Sequence, residues 1–480
     1  MSQTQAAPAA TTTSPQSLRV IWLMLGAAFV VILNETIMGV AIPNLVDDLG
    51  ITIAAAQWLT TAFMLTMAVV IPITGFLIKR FTTRQIYTGA MTLFSIGTLV
   101  SATAPGFEVL LVGRIVQAGG TAMMMPLLMT TIMILVPFEA RGRFMGRISI
   151  VMSVAPALGP TVSGLILSLA SWRFLFWLVL PIAIVMLVIG NRRIENVGEP
   201  TRVRIDVLSV VLSALGFGGL IFGLSLIGGE AAGSGSGVQM WIALSAGALG
   251  IAAFVWRQFV LQRSDRPLLD LRIFRSRSFT IAISLMTLMM AAMFGTLILL
   301  PIYLQNVLEL TPVVTGMLML PGGLVMGLVA PTIGRLFDRY GPRPLVLPGS
   351  IIVSTALWAL ATLSAETQPW VIVAAHVTLS LGLALMFTPL FTSALGSLRP
   401  ELYSYGSAAV GAVQQVAGAA GTALFITILS TQSVELAASG ADTVTAQAGG
   451  IQLAFLIGAV LSLPVIGGAF LVRRPVAVAD

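Results

Sequence analysis

The chain alternates long apolar segments with short polar ones, and this alternation restricts its possible folds more than any other feature. Hydrophobic residues fill 57% of the 480 positions and charged residues only 9%, whereas a soluble domain has roughly 25% charged residues. Apolar segments of about 20 residues are long enough to cross a bilayer as helices, which satisfy their own backbone hydrogen bonds in lipid. We therefore expect an all-α polytopic membrane protein.

Fourteen spans are predicted, at residues 20–43, 55–78, 85–104, 107–136, 143–170, 173–191, 207–227, 239–259, 278–304, 312–336, 344–364, 369–397, 404–431 and 451–472. Residues 1–17 lack the basic n-region of a signal peptide, so we expect a disordered cytoplasmic tail. The predicted domains are a six-helix bundle at 18–193, two inserted helices with flanking loops at 194–262, a cytoplasmic amphipathic linker on anionic lipid at 263–277, and a second six-helix bundle at 278–475.

The basic residues indicate how the chain is oriented. When both termini are placed in the cytoplasm, every lysine and arginine except Arg114 and Arg173 falls on the inner side, as the positive-inside rule requires. This predicts a multi-pass membrane protein with both termini in the cytoplasm. The net charge of +7 therefore reflects membrane topology, and we expect no nucleic-acid partner.

The composition excludes several kinds of function. The chain has no cysteine and one histidine, so disulfides are impossible and no cluster of metal ligands is predicted. We find no phosphate-binding loop and no catalytic triad, which argues against an ATP-driven pump and against an enzyme. No cofactor is expected.

Two charged residues lie deep inside predicted spans, away from the span ends. Glu35 is in the first span and Arg114 in the fourth, where a charge costs roughly 2.5 to 3.5 kcal/mol on insertion scales. Arg114 either extends its side chain to the outer interface or faces an aqueous cavity beside Glu35, where each charge lowers the cost of the other. We favour the cavity, and we expect Glu35 to bind a proton or a cation.

Residues 75–84 align without gaps on residues 334–343, matching at glycine, leucine, arginine, aromatic and arginine positions. Both segments follow an even-numbered span, and eight spans separate them. This spacing indicates two six-helix halves in parallel repeat, with two helices inserted between them.

Five segments carry recurring motifs of one family. Residues 334–343 follow a G-x-L-x-D-R-x-G-x-R loop pattern, residues 33–43 follow a first-helix signature, and residues 155–164 follow a G-P-x-x-G-G pattern. A fourth pattern comprises Arg114, Gln117, Gly119 and Gly120. The fifth comprises Gln414, Gln415, Gly418 and Gly421. Over roughly residues 18 to 475 the chain thereby resembles the major facilitator superfamily, and within it the fourteen-span drug:proton antiporters of bacteria, including multidrug and lincomycin-resistance-type exporters.

The resemblance implies a major facilitator fold in the bacterial inner (plasma) membrane, and it assigns roles to these segments. Gating loops and the antiporter motif of the fifth span would be formed by Lys79, Arg80, Arg84, Asp338, Arg339, Gly341, Arg343, Gly159, Pro160 and Gly164. Gly159 and Pro160 are expected to allow a bend and close helix approach between the halves. The alternative is ordinary packing of small residues.

The chain departs from the family pattern in two places. Lys79 and Thr82 stand where the first loop usually has aspartate and glycine, so we hypothesise that Lys79 pairs with Glu401. Asp338 keeps the acid of the second loop and is expected to meet Arg141 or Arg143, unless it is a solvated loop charge. Asn34 stands where many relatives have aspartate, which shifts the acid of the first span by one residue, to Glu35.

A substrate cavity is expected near the membrane midplane between the halves. Its predicted lining is Asn34, Gln57, Trp58, Phe63, Gln117, Met123, Met124, Met125, Gln414 and Gln415. Methionine adapts to varied ligand shapes, but three consecutive methionines point around more than half a helix, so at least one must be packing. His376 is either a second protonation site or, as we favour, a packed histidine.

The sequence thus predicts a proton-coupled antiporter that exports lipophilic, often cationic drugs by alternating access. Competition between proton and drug for Glu35 would couple the two fluxes. The expected partners are small lipophilic substrates, protons and membrane lipids, and the chain is expected to act as a monomer. The alternative is an exporter or flippase of an endogenous lipid or amphiphilic metabolite with the same fold.

Overall fold

A computed structural model describes residues 14–197, 200, 205–227, 236–264 and 266–474. These ranges contain helices and no β-strand. The helices are α1 Pro15–Leu49, α2 Ile53–Arg80, α3 Thr83–Ala102, α4 Phe107–Leu135, α5 Arg141–Leu169, α6 Arg173–Arg193, α7 Val207–Ser213, α8 Gly219–Ile227, α9 Ser236–Gln262, α10 Arg277–Ile302, α11 Pro312–Tyr340, α12 Arg343–Leu360, α13 Pro369–Gly396, α14 Tyr403–Ala438 and α15 Thr443–Ala469.

The fold class is confirmed, and each of the fourteen predicted spans is helical. One wide helical turn, Ala214–Gly218, joins α7 to α8, so that they form one span. Within the described ranges, thirteen helices are long and apolar enough to cross a membrane. The remaining predicted span is α3, a helix of 20 residues that is rich in threonine and serine.

The ends of the chain differ from the prediction. Helix α1 begins at Pro15, where the Ser14 hydroxyl accepts a hydrogen bond from the Ser17 amide, so the predicted tail extended too far into the chain. The rest of that tail, residues 1–13, lies outside the described residues, as do residues 228–235 between α8 and α9.

Helix packing repeats between the two halves of the chain. In the first half α1 packs on α5 and α6, and α4 and α6 pack on α3; in the second half α10 packs on α14 and α15, and α13 and α15 pack on α12. Each helix of α1 to α6 thus has a counterpart nine positions later in the series α10 to α15. Helices α7, α8 and α9 are inserted between the halves, and α8 packs on α2 and α14.

The halves meet along two seams, α5 with α11 and α2 with α14, and the repeat relates one seam to the other. The recorded contacts run from the ends of these helices that carry Arg80, Arg141 and Arg339 toward their middles. We call this end of the molecule the basic end. Small residues permit the contact: a Cβ at Gly142 would overlap the Gly334 carbonyl oxygen, and a Cβ at Gly146 would come within 2.5 Å of the Ala330 carbonyl oxygen.

The linker after α9 packs against protein. Leu268, Leu269 and Ile273 are buried, and the Leu268 and Leu269 amides donate to Gln258 Oε1 at 2.8 and 3.2 Å. The sequence suggested that this apolar face lies on lipid, but these side chains are in the protein interior. A pattern of apolar and basic residues does not distinguish the two surroundings, since both bury the apolar face.

Candidate functional site

A buried polar cluster surrounds Arg114, in the middle of the first half. The Arg114 guanidinium donates from Nη1 to Gln117 Oε1 at 2.6 Å and to Asn34 Oδ1 at 3.2 Å. Gln117 Nε2 donates to Thr98 Oγ1 at 2.7 Å, and the Arg114 Cζ lies 4.1 Å from the centroid of the Phe63 ring. Arg114 is 1% exposed and Asn34 is fully buried. One cation therefore links four helices, α1, α2, α3 and α4.

Glycines bring these helices close enough for the cluster to form. A Cβ at Gly97 of α3 would overlap the Gln117 backbone, and a Cβ at Gly120 of α4 would overlap the Ala90 carbonyl oxygen. Because α3 and α4 approach this closely, Thr98 reaches Gln117 and fixes the amide whose oxygen accepts from Arg114. The sequence reasoning did not identify Thr98, because a threonine in an apolar helix carries no signal of its partner.

Glu35 lies next to this cluster on α1. It is partly buried, and Arg114 is close enough to interact with it electrostatically. In the part of the chain that the structure describes, the recorded ion pairs do not include Glu35, and Arg114 binds the neighbouring Asn34 instead. Two polar atoms, Asn34 Nδ2 and Arg114 Nε, are buried without a hydrogen-bond partner, so the cluster retains free donors.

The antiporter motif of the fifth span packs against α1. A Cβ at Gly159 would overlap the side chain of Thr36, the residue after Glu35, and the Ser163 hydroxyl donates to the Ile37 carbonyl at 2.9 Å. We expected Gly159 between the halves; that position is taken by Ala157, which lies against Gly323 of α11. A Cβ at Gly164 meets open space, and the side chain of Pro160 lies outside the described residues.

The predicted cavity residues are distributed over several surroundings. Met124 is in the core, and Gln57 and Trp58 are exposed, with the Trp58 ring 5.7 Å from that of Phe222 in α8. Met123 lines a groove of about 330 Å³ between α2 and α3. Gln415 Nε2 lies 3.8 Å from Met67 Sδ across the α2 and α14 seam, and Gln414 Nε2 is buried without a partner.

The α5 and α11 seam is latched at the basic end by Asp338. The Gly142 amide donates to Asp338 Oδ1 at 2.7 Å, and the Arg143 amide donates to Oδ2 at 2.9 Å. These amides belong to the first turn of α5, where a helix has free N–H groups and partial positive charge. Asp338 thus binds the α5 backbone at Arg143, one of the two arginines that we expected it to meet. Arg141 adds a hydrogen bond to the Tyr403 hydroxyl at 3.1 Å across the halves.

The α2 and α14 seam has a different contact at the equivalent place. Lys79 Nζ lies 4.8 Å from the centroid of the Tyr405 ring, and in the described ranges no recorded ion pair joins Lys79 to Glu401. Glu401 is exposed. The pairing of these two residues stays a prediction.

The remaining loop residues of the predicted gates have local partners. Arg80 lies near the Phe81 ring, Arg339 near the Tyr340 ring and Arg343 near the Phe470 ring. Arg84 Nε donates to Asn191 Oδ1 at 3.4 Å. Gly341 ends α11 with a φ of 80°, a conformation that favours glycine.

Two hydroxyl pairs and the single histidine complete the polar interior. Thr130 Oγ1 lies 2.7 Å from Ser407 Oγ, and Ser149 Oγ lies 2.8 Å from Thr388 Oγ1; both pairs are buried and join the two halves. Sequence reasoning missed these four residues. His376 packs against Gly322 of α11, and its Nδ1 has no hydrogen-bond partner.

A family model and the solved structures agree on what this architecture is. The model described as Major Facilitator Superfamily matches residues 24–422. The chain belongs to the major facilitator superfamily. The human organic anion transporter MFSD10 has a TM-score of 0.65 at 15% identity, over 94% of this chain and all of that one. The proton:xylose symporter XylE has a TM-score of 0.63 at 13% identity, over 94% and 95%.

Among curated major facilitator proteins, sequence similarity extends over nearly the full chain. The lincomycin resistance protein LmrB of Listeria monocytogenes is 39% identical over 92% of this chain and 94% of that protein. LmrB of Bacillus subtilis is 36% identical over 94% and 95%, and a multidrug resistance protein B homolog of Mycobacterium tuberculosis is 30% identical over 83% and 74%. This major facilitator is a multi-pass membrane transporter and not an enzyme.

Proposed function

We propose that this transporter is a drug:proton antiporter that exports lipophilic, often cationic compounds across the bacterial plasma membrane. Its similarity to lincomycin resistance and multidrug resistance proteins supports drug export. The observation that carries proton coupling is the position of Glu35 near the middle of the 35-residue helix α1, beside the buried Arg114 cluster. Both termini and the basic end face the cytoplasm in this proposal, as the positive-inside rule favours.

Glu35 has the chemistry that coupling requires. A low-dielectric surrounding favours the neutral acid, whereas an approaching cation favours the carboxylate, so proton and cationic substrate exclude each other at one group. Arg114 biases this competition because its charge favours ionised Glu35. Since Arg114 is held by the neutral Asn34 and Gln117, its charge is not cancelled by a direct ion pair.

Alternating access requires the basic end to open. In the structure it is closed by the Asp338 contacts with α5, the Arg141 contact with Tyr403 and the two buried hydroxyl pairs. Each contact joins one half to the other, and rigid rotation of the halves would break them together. Gly159 places α5 against Thr36, so movement of α5 reaches the helix turn that carries Glu35.

The replacement of Glu35 by glutamine tests the proposal. We expect Glu35→Gln to abolish efflux driven by a pH gradient in inverted membrane vesicles, because glutamine has no proton to exchange. Energy-independent exchange of labelled substrate should survive with a lower affinity for cations, since the amide keeps the size and polarity of the side chain but not its charge. The readouts are quenching of a pH-sensitive dye on substrate addition and uptake of a labelled lincosamide or lipophilic cation.

A matched control separates this effect from a general loss of charge. Glu108→Gln removes an acid from the first turn of α4, and gradient-driven efflux should be unchanged. Full gradient-driven efflux by Glu35→Gln would contradict the coupling role. If proteoliposomes instead translocate a fluorescent phospholipid and no drug, the protein is an amphiphile exporter.

A further inference from the structure

Arg147 of α5 faces α1 near the basic end, on the surface where these two helices pack together, which we call the α1 and α5 groove. Its Cζ lies 5.0 Å from the centroid of the Trp22 ring and 4.5 Å from that of the Phe144 ring. Trp22 belongs to α1 and is 56% exposed. A cation over two aromatic rings keeps a fixed position, so the groove holds the guanidinium at one place.

The hydrogen-bonding capacity of this guanidinium is incomplete. Arg147 Nη1 is buried and has no hydrogen-bond partner, and the ion pairs recorded for the described residues do not include Arg147. A buried donor without an acceptor costs about 1 to 3 kcal/mol, and more when it is charged. The site therefore favours a ligand with oxygen acceptors and negative charge.

Neighbouring cations strengthen this preference. Arg143 lies one turn earlier on the same face of α5 and repels the charge of Arg147. Arg19 is exposed and lies three residues before Trp22 on α1, which places the two on one helix face. Asp338 is a carboxylate close to Arg143, but it accepts hydrogen bonds from the backbone amides of Gly142 and Arg143. Arg143 and Arg19 thus each lie about one helical turn from the Arg147 and Trp22 pair, and within the described ranges no recorded ion pair joins Arg147 to a carboxylate.

The depth of the groove fits a membrane interface. Arg147 is the seventh residue of α5, and a rise of about 1.5 Å per residue places it roughly 9 Å from the helix start. An arginine one to two turns inside a span reaches the level of lipid phosphates, and tryptophan prefers the same level. The exposed Trp22 gives the groove an apolar wall. Arg147 beside it gives the groove a cation that can bind a lipid phosphate.

We propose that the α1 and α5 groove binds one anionic phospholipid, whose phosphate accepts hydrogen bonds from Arg147 and interacts with the charges of Arg143 and Arg19. The acyl chains pack along Trp22 and the apolar surface below it. This lipid site is separate from Glu35 and Arg114, and it does not depend on which compound is exported. Because α5 forms one of the two seams, the bound lipid also adjoins the helix that moves when the basic end opens.

Native mass spectrometry of the full-length detergent-purified protein tests this site. Phosphatidylglycerol and phosphatidylcholine with identical acyl chains are titrated, and one phosphatidylglycerol should bind more tightly than phosphatidylcholine. Arg147→Gln should weaken the first phosphatidylglycerol about tenfold, the usual effect of losing a hydrogen bond to a charged group. Arg399→Gln, which removes another exposed arginine at the basic end, is the control and should bind as the wild type does.

A second variant and a competition experiment test the site independently. Trp22→Leu preserves every charge and should weaken phosphatidylglycerol binding by a few fold, so the site remains testable when Arg147→Gln does not fold. Inorganic phosphate and glycerol 3-phosphate are added as competitors. Equal affinity of wild type and Arg147→Gln for phosphatidylglycerol, an unchanged affinity in Trp22→Leu, or displacement of the lipid by inorganic phosphate at similar concentration would each overturn the proposal.

Discussion

The two seams between the halves are formed by helices that the repeat relates, but they carry opposite charges at the basic end. In the aligned repeat Gly75 corresponds to Gly334 and Lys79 to Asp338. Both partner helices begin after one short helical turn, Phe138–Ala140 before α5 and Pro400–Leu402 before α14. Asp338 accepts from the first-turn amides of α5, whereas Lys79 lies over the ring of Tyr405 in the first turn of α14.

The physics of a helix N-terminus explains this difference. The free amides and the helix dipole attract an anion and repel a cation, typically by about 0.3 to 1 kcal/mol at a surface site. A lysine at the equivalent position therefore gains nothing from the amides of α14 and takes the face of an aromatic ring instead. Of these two contacts, the carboxylate on helix amides is the stronger, so we expect substitutions at the α5 and α11 seam to have larger effects than the equivalent ones at the α2 and α14 seam.

The equivalent glycines give the largest expected difference. In Gly334→Ala the new Cβ would overlap the Gly142 carbonyl oxygen, whereas in Gly75→Ala it would lie 2.9 Å from the Ser404 carbonyl oxygen. Overpacking against backbone costs about 1 to 3 kcal/mol. We expect Gly334→Ala to open the α5 and α11 seam and to lower transport strongly, and Gly75→Ala to do so less.

Thiol labelling measures the opening directly, since the natural chain has no cysteine. Ser149→Cys reports on the α5 and α11 side and Ser407→Cys on the α14 side, because both hydroxyls are buried in contacts between the halves. Gly334→Ala should raise maleimide labelling of the Ser149→Cys reporter about tenfold, as 1.4 kcal/mol predicts. A larger effect of Gly75→Ala than of Gly334→Ala would contradict the ranking of the seams.

Exchange of the latch residues has a smaller expected effect. Asp338→Asn removes a charge whose hydrogen bonds contribute about 1.5 to 3 kcal/mol, and labelling of the Ser149→Cys reporter should rise. Lys79→Gln removes a cation–π contact of about 0.5 to 1 kcal/mol, and labelling of the Ser407→Cys reporter should rise less. Lys79→Asp should do the reverse and slow labelling of that second reporter, because the aspartate can accept from the α14 amides. Faster labelling in Lys79→Asp than in Lys79→Gln would show that the N-terminal amides of α14 do not govern this seam.

Sequence reasoning predicted the fold more completely than the candidate site. Each predicted span is a helix, because an apolar segment of bilayer length admits few other structures. The loop residues Gly341 and Thr82 show the limit: Gly341 has a positive φ, whereas Thr82 has an extended conformation and caps α3 in a capping box with Gln85. The family pattern suggested an altered gate at Thr82, but not this cap.

The Arg114 cluster shows why side-chain partners were harder to predict. The sequence indicated that an intramembrane base needs a polar partner and placed Glu35 beside it. Asn34, Gln117 and Phe63 were named as cavity lining or as parts of family motifs, and none of them as the partner of Arg114. The rotation of α1 decides whether Asn34 or Glu35 reaches Arg114, since adjacent residues differ by about 100° around a helix. That rotation is set by packing, including the contact of Gly159 with Thr36, which composition and spacing do not encode.

The inserted helices give the smallest expected effect, confined to the α2 and α14 seam that they cover. Asp206, at the start of α7, accepts from Arg257 of α9 at 3.0 and 3.1 Å, and the Arg257 side chain is the main cause that lowers its pKa to about 2. A depressed pKa stabilises the folded state above the unfolded pKa of roughly 3.9, and this contribution is lost as the pH falls from there through about 2. Because the pair is partly exposed, its contribution is on the order of 1 kcal/mol or less.

We therefore expect Asp206→Asn to lower the apparent melting temperature by about 1 °C or less at pH 6, with the difference from wild type shrinking between about pH 4 and pH 2 as Asp206 protonates. Labelling of the Ser407→Cys reporter should rise slightly while labelling of the Ser149→Cys reporter stays unchanged, because α8 packs on α14 and α2. Asp442→Asn is the matched control: Asp442 caps α15 and has a pKa lowered by the side-chain hydrogen bond from Thr445. Asp442→Asn should show the same pH dependence of the melting temperature without changing the labelling of either reporter. Equal labelling changes of both reporters in Asp206→Asn would mean that the inserted helices support the whole interface and not one seam.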